Sequence, residues 1–123
     1  MLTHSPLIAF IPTKDTARAR RFYEKILGLR FVSDDPFAIV MDANGTMLRI
    51  ARVDDFTPVP FTILGWQVGD IHRMVAEMTG RGVKFTRYPY FEQSADGVWS
   101  APGGAQVAWF TDPDGNTLSI SQH

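Results

Sequence analysis

The sequence predicts an α+β fold in which two βαβββ modules form an eight-stranded, strongly curved mixed sheet around a cavity, with the helices on its convex face. Similar turn-and-strand segments occur twice, at 42–50 and 112–120. An apolar strand that leads to an aspartate also occurs twice, at 8–15 and 63–70. Because one helix and about four strands cannot bury both faces of a sheet, the two modules are expected to combine.

The first module begins with a short apolar strand, Leu7–Pro12, after which Asp15 can accept hydrogen bonds from the free amides of a helix. Apolar residues with the α-helical period predict that helix, and Gly28 is suited to end it. The members of the apolar stripe are Ala19, Phe22, Tyr23, Ile26 and Leu27. Turn-forming residues then separate three predicted strands. These strands are Leu29–Ser33, Phe37–Met41 and Thr46–Val53.

The second module repeats this order, with a strand at Thr62–Val68, a helix cap at Asp70 and a helix end at Gly82. The helical stripe consists of Ile71, Met74, Val75 and Met78. Three further strands are predicted at Lys84–Arg87, Ala105–Thr111 and Asn116–Ser121. We therefore treat residues 1–123 as one domain, with module 1 at about 7–53, a linker at 54–60 and module 2 at about 61–123.

The second module carries an insertion, Tyr88–Gly104. Asp15 precedes Asp70 by 55 positions, whereas Asp42 precedes Asp112 by 70, so the added length follows the second helix. The insertion contains Tyr88, Tyr90, Phe91 and Trp99. Two compatible interpretations remain: the aromatic residues cover a pocket, or they belong to a hairpin that packs on the edge of the sheet.

Composition excludes several classes of function. The formal net charge of −1 argues against nucleic acid as the main partner, because phosphate binding requires clustered positive charge. The absence of cysteine excludes disulfides, thiolate metal sites and cysteine nucleophiles, and it agrees with a cytoplasmic protein. No apolar run approaches the roughly 20 residues that span a bilayer, so no membrane partner is predicted.

Two segments, 22–29 and 110–116, resemble the sequence marks of the vicinal oxygen chelate superfamily, which includes glyoxalase I, extradiol dioxygenases and bleomycin-resistance proteins. They read Phe-Tyr-Glu-Lys-Ile-Leu-Gly-Leu and Phe-Thr-Asp-Pro-Asp-Gly-Asn. The resemblance covers nearly the whole chain and implies the paired-module fold. Since that fold supports unrelated activities, it does not by itself imply one function.

In the metal-using members of the family, the resemblance implies histidine and glutamate ligands at positions that fall on Ile8, Arg49, Ile63 and Ser119. Isoleucine offers no lone pair, arginine stays cationic, and a lone serine hydroxyl is a poor ligand. We therefore predict no metal site and no cofactor. Ligands displaced to other positions remain the alternative.

Other candidate catalytic groups have ordinary structural interpretations. Asp112 and Asp114 could act as an acid–base pair, but aspartates in this spacing commonly hold a turn through bonds to its backbone. Glu92 could be a general base if it is buried, and a surface position is the alternative.

Strand alternation predicts which side chains line the cavity. The predicted ligand-binding residues are Ile8, Phe10, Met47, Arg49, Ile63, Gln67, Trp99 and Ser119. An inward arginine needs a partner, so Arg49 either meets an anionic ligand group such as a carboxylate or pairs with an aspartate of the chain.

These inferences predict a metal-free protein that binds a small, partly apolar ligand, with room for an anionic group beside Arg49. A glyoxalase-like lyase or isomerase, or a dioxygenase, with displaced ligands or metal-free chemistry is the alternative. A third possibility is an interaction protein whose cavity has lost its role. The resemblance further implies a homodimer.

Overall fold

The computed structural model describes all 123 residues and divides the chain into two compact units, residues 1–57 and 58–123. The boundary between them falls inside the segment 54–60 that the sequence predicts as a linker. Neither helical region has the length and apolar character needed to cross a membrane.

Unit 1 contains a four-stranded sheet, here called sheet 1. Its strands are β1 (Ile8–Thr13), β2 (Arg30–Asp34), β3 (Ala38–Ala43) and β4 (Thr46–Arg52). They lie in the order β1-β4-β3-β2. The β1–β4 pair is parallel and the other pairs are antiparallel, so the sheet is mixed.

Unit 2 contains sheet 2, which has the equivalent order β5-β8-β7-β6 and again one parallel pair, β5–β8. Its strands are β5 (Leu64–Gln67), β6 (Trp99–Ser100), β7 (Gln106–Thr111) and β8 (Thr117–Gln122). The duplicated α+β topology predicted from the sequence is confirmed. The eight strands divide into two four-stranded sheets, however, and do not form one hydrogen-bonded sheet.

Each unit has one helical region, and both begin at the predicted aspartate. Asp15 Oδ1 accepts a hydrogen bond from Arg18 N at 3.1 Å, and Asp70 Oδ1 accepts one from Arg73 N at 3.2 Å. Such a cap stabilises a helix by about 1 kcal/mol. The helices are α1 (Thr16–Arg20) and α2 (Ile71–Gly80). Gly28 and Gly82 follow them with φ of 78° and 97°, as predicted for helix-ending glycines.

The first helical region departs from the expected α-helix, because it continues as a π-helix over Arg21–Ile26. The π-type bond runs from Leu27 N to Phe22 O at 2.9 Å. In this region Phe22 and Tyr23 are buried, whereas Ile26 is only half-buried. The α-helical stripe predicted from the sequence is therefore correct in its first part only.

The predicted strand Lys84–Arg87 is wrong. This segment has one backbone bond to β7, from Thr86 N to Trp109 O at 2.7 Å, and it forms no ladder. The edge of β7 is paired instead with β6, which lies inside the insertion. Side chains take over the polar groups of the segment: Gln93 Nε2 donates to Thr86 O, and the Arg87 guanidinium donates to three loop carbonyls.

The core of each unit lies between its helix and one face of its sheet. In unit 1 it includes Ile11, Tyr23, Ile39, Leu48 and Ile50, and in unit 2 it includes Ile71, Val75, Phe110, Leu118 and Ile120. Burying such side chains stabilises the fold by about 1.5–3 kcal/mol each. Alternate residues on the same strands point to the opposite side, which we call the helix-free face of each sheet.

Candidate functional site

The helix-free face of sheet 1 presents apolar side chains to solvent. Ile8 lies beside Met47 and Phe10 beside Arg49 in the parallel β1–β4 pair. Ile8 is 45% exposed, Phe10 64% and Met47 42%, while Ile11, which follows Phe10 on β1, is 1% exposed. The structure thus brings four of the predicted ligand-binding residues together on one face, as the alternation requires.

Arg49 has a partner within unit 1. Its Nη2 donates to Asp35 Oδ2 at 3.1 Å, and both side chains are partly exposed. Of the two partners considered from the sequence, the structure shows the aspartate. A guanidinium carries five N–H donors, and Arg49 uses one of them in the hydrogen bond to Asp35. The other donors remain for a ligand.

Asp35 is held in place independently of Arg49. Its Oδ1 accepts hydrogen bonds from Phe37 N and Ala38 N, both at 2.8 Å, which closes the turn between β2 and β3. These backbone bonds, reinforced by Arg49, lower the pKa of Asp35 below its ordinary value of 3.8. The carboxylate is therefore ionised at neutral pH and fixes the guanidinium beside the turn.

A second ion pair lies on the same turn. Arg52 Nη2 donates to Asp34 Oδ1 at 2.6 Å, and Arg52 Nη1 donates to the Asp35 carbonyl. The two arginines and two aspartates balance in charge. This end of sheet 1 is therefore neutral overall, although Arg49 still offers unshared donors.

The helix-free face of sheet 2 has a different character. Ser119 lies between Gly65 on β5 and Trp109 on β7. A Cβ placed on Gly65 would lie only 3.0 Å from Ser119 Oγ, so the hydroxyl sits directly over the glycine. Gln67 is exposed two residues further along β5, and Ile63 is half-buried just before that strand. Sheet 2 thus places small and neutral polar groups along β5 and β8.

Aromatic rings occupy the other part of this face. Trp99 on β6 pairs with Val107, and its ring lies 5.9 Å from that of Trp109. Phe91 from the insertion stacks on both indoles. Trp109 was not among the predicted residues, although its alternation with the buried Ala108 and Phe110 placed it on this face.

The hairpin interpretation of the insertion agrees with the structure. Gln93 and Trp99 form an isolated antiparallel bridge, and Ser94 N donates to Val98 O at 2.8 Å. The aromatic residues of the insertion pack on one another and on Trp109. Glu92 is exposed, which favours the surface alternative over a buried base.

The acidic pair in the last turn is structural. Asp112 Oδ1 accepts hydrogen bonds from Asp114 N and Asn116 N, both at 2.9 Å, and Oδ2 accepts one from Asn116 Nδ2. This carboxylate is buried and its oxygens are committed to the turn. The turn interpretation made from the sequence is confirmed.

The donor chemistry at the family's ligand positions does not fit a divalent metal. Ile8 and Ile63 supply only hydrocarbon, Arg49 supplies a cation, and Ser119 supplies one neutral hydroxyl. No group of three or more histidine, cysteine, aspartate or glutamate side chains elsewhere in the structure could hold an ion. We therefore assign no chemical step to a metal.

A separate groove of about 730 Å³ runs along α2 in unit 2, with Val75, Thr79, Lys84 and Asp96 in its wall. At its end His72 Nδ1 lies 2.7 Å from Asp96 Oδ2, which joins the start of α2 to the hairpin. None of the predicted ligand-binding residues lines this groove, so it is distinct from the helix-free face.

The family model described as the glyoxalase/bleomycin resistance protein/dioxygenase superfamily matches residues 6–120, which is nearly the whole chain. The chain belongs to this superfamily. Among curated proteins, no sequence match was found.

Solved structures agree with the superfamily assignment. A superfamily member from Sphaerobacter thermophilus is 25% identical, with a TM-score of 0.77 and full coverage of both chains. A bleomycin resistance determinant encoded on the transposon Tn5 is 20% identical, with a TM-score of 0.74 over 97% of this chain and 98% of its own. A lactoylglutathione lyase from Agrobacterium tumefaciens is 18% identical, with a TM-score of 0.69 over 97% and 93%. The last two likenesses extend to the fold and do not distinguish binding from catalysis.

Proposed function

We propose that this superfamily member is a metal-free small-molecule-binding protein whose ligand is partly apolar and carries an acceptor group, such as a carboxylate, for Arg49. The observation that carries the proposal is the exposed cluster of Ile8, Phe10 and Met47 around a half-exposed arginine on one sheet face. Apolar walls with a few fixed polar groups are typical of small-molecule sites.

The position of Arg49 supports the anionic part of the proposal. Asp35 fixes the guanidinium without using most of its donors, so less side-chain freedom is lost when a ligand binds. Because Asp35 also neutralises part of the charge, a carboxylate would share the arginine with it and would not meet a bare cation. The polar contact then contributes to orientation as much as to affinity.

The proposed contact residues are those predicted from the sequence: Ile8, Phe10, Met47 and Arg49 in unit 1, and Ile63, Gln67, Trp99 and Ser119 in unit 2. Trp109 joins them, since it shares the face of Ser119. A homodimer, common in this superfamily, is part of the proposal.

No observation favours the enzyme alternative. Glu92 is exposed and Asp112 is committed to its turn, so neither supports a general base. A metal-dependent glyoxalase-like or dioxygenase activity would require a metal that the donors at the family's ligand positions do not support.

A thermal-shift screen of small carboxylates and their neutral amides tests the proposal. A ligand present at 100 times its Kd adds about 2.7 kcal/mol of stability, which is readily seen as a rise in Tm. Arg49→Ala should weaken binding of a carboxylate hit about ten-fold or more, because a hydrogen bond to a charged group contributes about 1.5–3 kcal/mol.

Arg52→Ala is the matched control, since it removes a second arginine of β4 that bonds to the same turn but lies on the opposite side of the strand. It should leave the affinity unchanged. Equal affinity losses in the two variants, or none in Arg49→Ala for any hit, would contradict the proposed role of Arg49.

A further inference from the structure

Phe91 lies flat on two tryptophans. Its ring is stacked on Trp109 with centroids 5.2 Å apart and planes 5° apart, and on Trp99 at 4.5 Å and 29°. The two indoles are 5.9 Å from each other and tilted by 33°. A single phenyl ring therefore covers a shared indole surface in the way that a stacked ligand ring would.

This stack is separate from the hydrophobic core of unit 2. Trp109 stands opposite Ser119 and alternates with the buried Ala108 and Phe110, so it belongs to the helix-free face. Trp99, Trp109 and Phe91 are each half-buried. Removing the phenyl ring would uncover the indoles without opening the core.

The segment that carries Phe91, residues 89–92, has few backbone hydrogen bonds. Its two ends are fixed by Gln93, whose Oε1 accepts from Tyr88 N at 2.8 Å and whose Nε2 donates to Gly97 O at 2.9 Å. Between them, residues 89–92 make one backbone bond, from Phe91 N to Tyr88 O at 3.2 Å. Tyr90, the neighbour of Phe91, is 71% exposed. Backbone hydrogen bonds thus do little to hold residues 89–92 in place.

We propose that the paired indoles of Trp99 and Trp109 form a binding site for an uncharged planar aromatic ring, and that Phe91 occupies this site until such a ring displaces it. Ring stacking needs no charge, and the polar side chain opposite Trp109 on this face, Ser119, is neutral. The inference rests on the proposed function and names an aromatic class of ligand.

Displacement has a measurable consequence. If the site is free in only a fraction of the molecules, the apparent affinity is lowered by that fraction. Truncating Phe91 removes the competition and should tighten binding. If Phe91 instead formed a wall of the pocket, its truncation would weaken binding, because the ligand would lose a contact.

The probe is 2-naphthol, which is planar and uncharged at neutral pH, and affinity is measured by calorimetry on the full-length protein. Phe91→Ala should bind it about ten-fold more tightly than the wild type, which corresponds to about 1.4 kcal/mol. Phe91→Leu, which keeps an apolar side chain, should show a smaller gain and provides the test if the alanine variant does not fold. Phe91→Ala combined with Trp109→Leu should lose the gain.

Tyr90→Ala is the matched control, because it removes an exposed ring from the same segment without touching the indoles. Its affinity should equal that of the wild type. NMR locates the probe: the indole N–H signals of Trp99 and Trp109 should shift, while that of Trp66, on the opposite face of β5, should not.

The proposal is overturned if neither Phe91 variant gains affinity, if Tyr90→Ala gains as much, or if the two indole signals stay unshifted. If no carboxylate binds at Arg49, the 2-naphthol affinities of the Phe91 variants can still be interpreted. The probe has no carboxylate, and the variants lie in unit 2. Conversely, loss of the Phe91 effect would not remove binding beside Arg49.

Discussion

The guanidinium of Arg49 donates to Asp35 at 3.1 Å across the helix-free end of sheet 1, at a position where metal-using relatives are expected to place a carboxylate ligand. A cation therefore stands where a metal ion would need an anionic donor. The same pair fixes an arginine with unused donors among exposed apolar side chains. This relationship connects the absence of a metal-binding donor at position 49 to the proposed binding of a ligand.

Asp35→Asn should differ in Tm from the wild type by an amount that depends on pH, because the substitution removes the negative charge of the pair. The folded state lowers the pKa of Asp35 below 3.8, so its stabilising contribution is complete above that pH and is lost as the pH falls through the lowered pKa. We expect the wild type to have the higher Tm at neutral pH and the gap to narrow as the pH falls below 3.8. Asparagine can still accept the turn's backbone bonds. A Tm difference that is constant over the whole pH range would refute this assignment.

Phe10→Ser and Ile11→Ala should separate the ligand face from the core, since they change adjacent residues on opposite faces of β1. Phe10 is 64% exposed, so its replacement should change the unfolding free energy by less than about 0.5 kcal/mol. Ile11 is 1% exposed, and its truncation should cost about 2–5 kcal/mol. Only Phe10→Ser should weaken a ligand found by the screen. Denaturant unfolding and calorimetry measure the two quantities, and a large stability loss in Phe10→Ser would place that ring in the core.

Gly65→Ala should be destabilising, because a Cβ there would lie 3.0 Å from Ser119 Oγ and 3.3 Å from Ser119 O. We expect a cost of about 1–3 kcal/mol from overpacking. Gly69→Ala is the matched control, since it meets no atom within 4 Å and should be neutral or stabilising by about 0.4–1 kcal/mol. Adding Ser119→Ala should restore part of the loss. If Gly65→Ala is as stable as Gly69→Ala, Ser119 does not sit over the glycine.

The sequence was sufficient for the duplicated topology because its signals are local. Asp15 and Asp70 are helix caps by their position before an apolar stripe, and alternation on β1 and β4 separates Ile11 from Phe10. The same alternation contained the signal for Trp109, which was overlooked. Strand periodicity therefore predicted more of the candidate site than the motif positions alone.

Other features depended on competition between segments that no local pattern reveals. Lys84–Arg87 has the composition of a strand, but only Thr86 bonds to β7, at Trp109, and Trp99 and Ser100 pair with Val107 and Gln106 of that strand. The apolar period of the sequence does not distinguish the π-helix at Arg21–Ile26 from an α-helix. The partner of Arg49 lies fourteen residues away in sequence, on a turn whose geometry had to be seen.

Metal content tests the central claim most directly. The protein is purified without chelators, incubated with zinc, nickel, iron(II) or manganese, dialysed, and analysed by elemental mass spectrometry. The donors at positions 8, 49, 63 and 119 predict far less than one metal ion per chain for every metal, with no change in Tm. One equivalent of a metal that survives dialysis and raises the Tm would contradict the account.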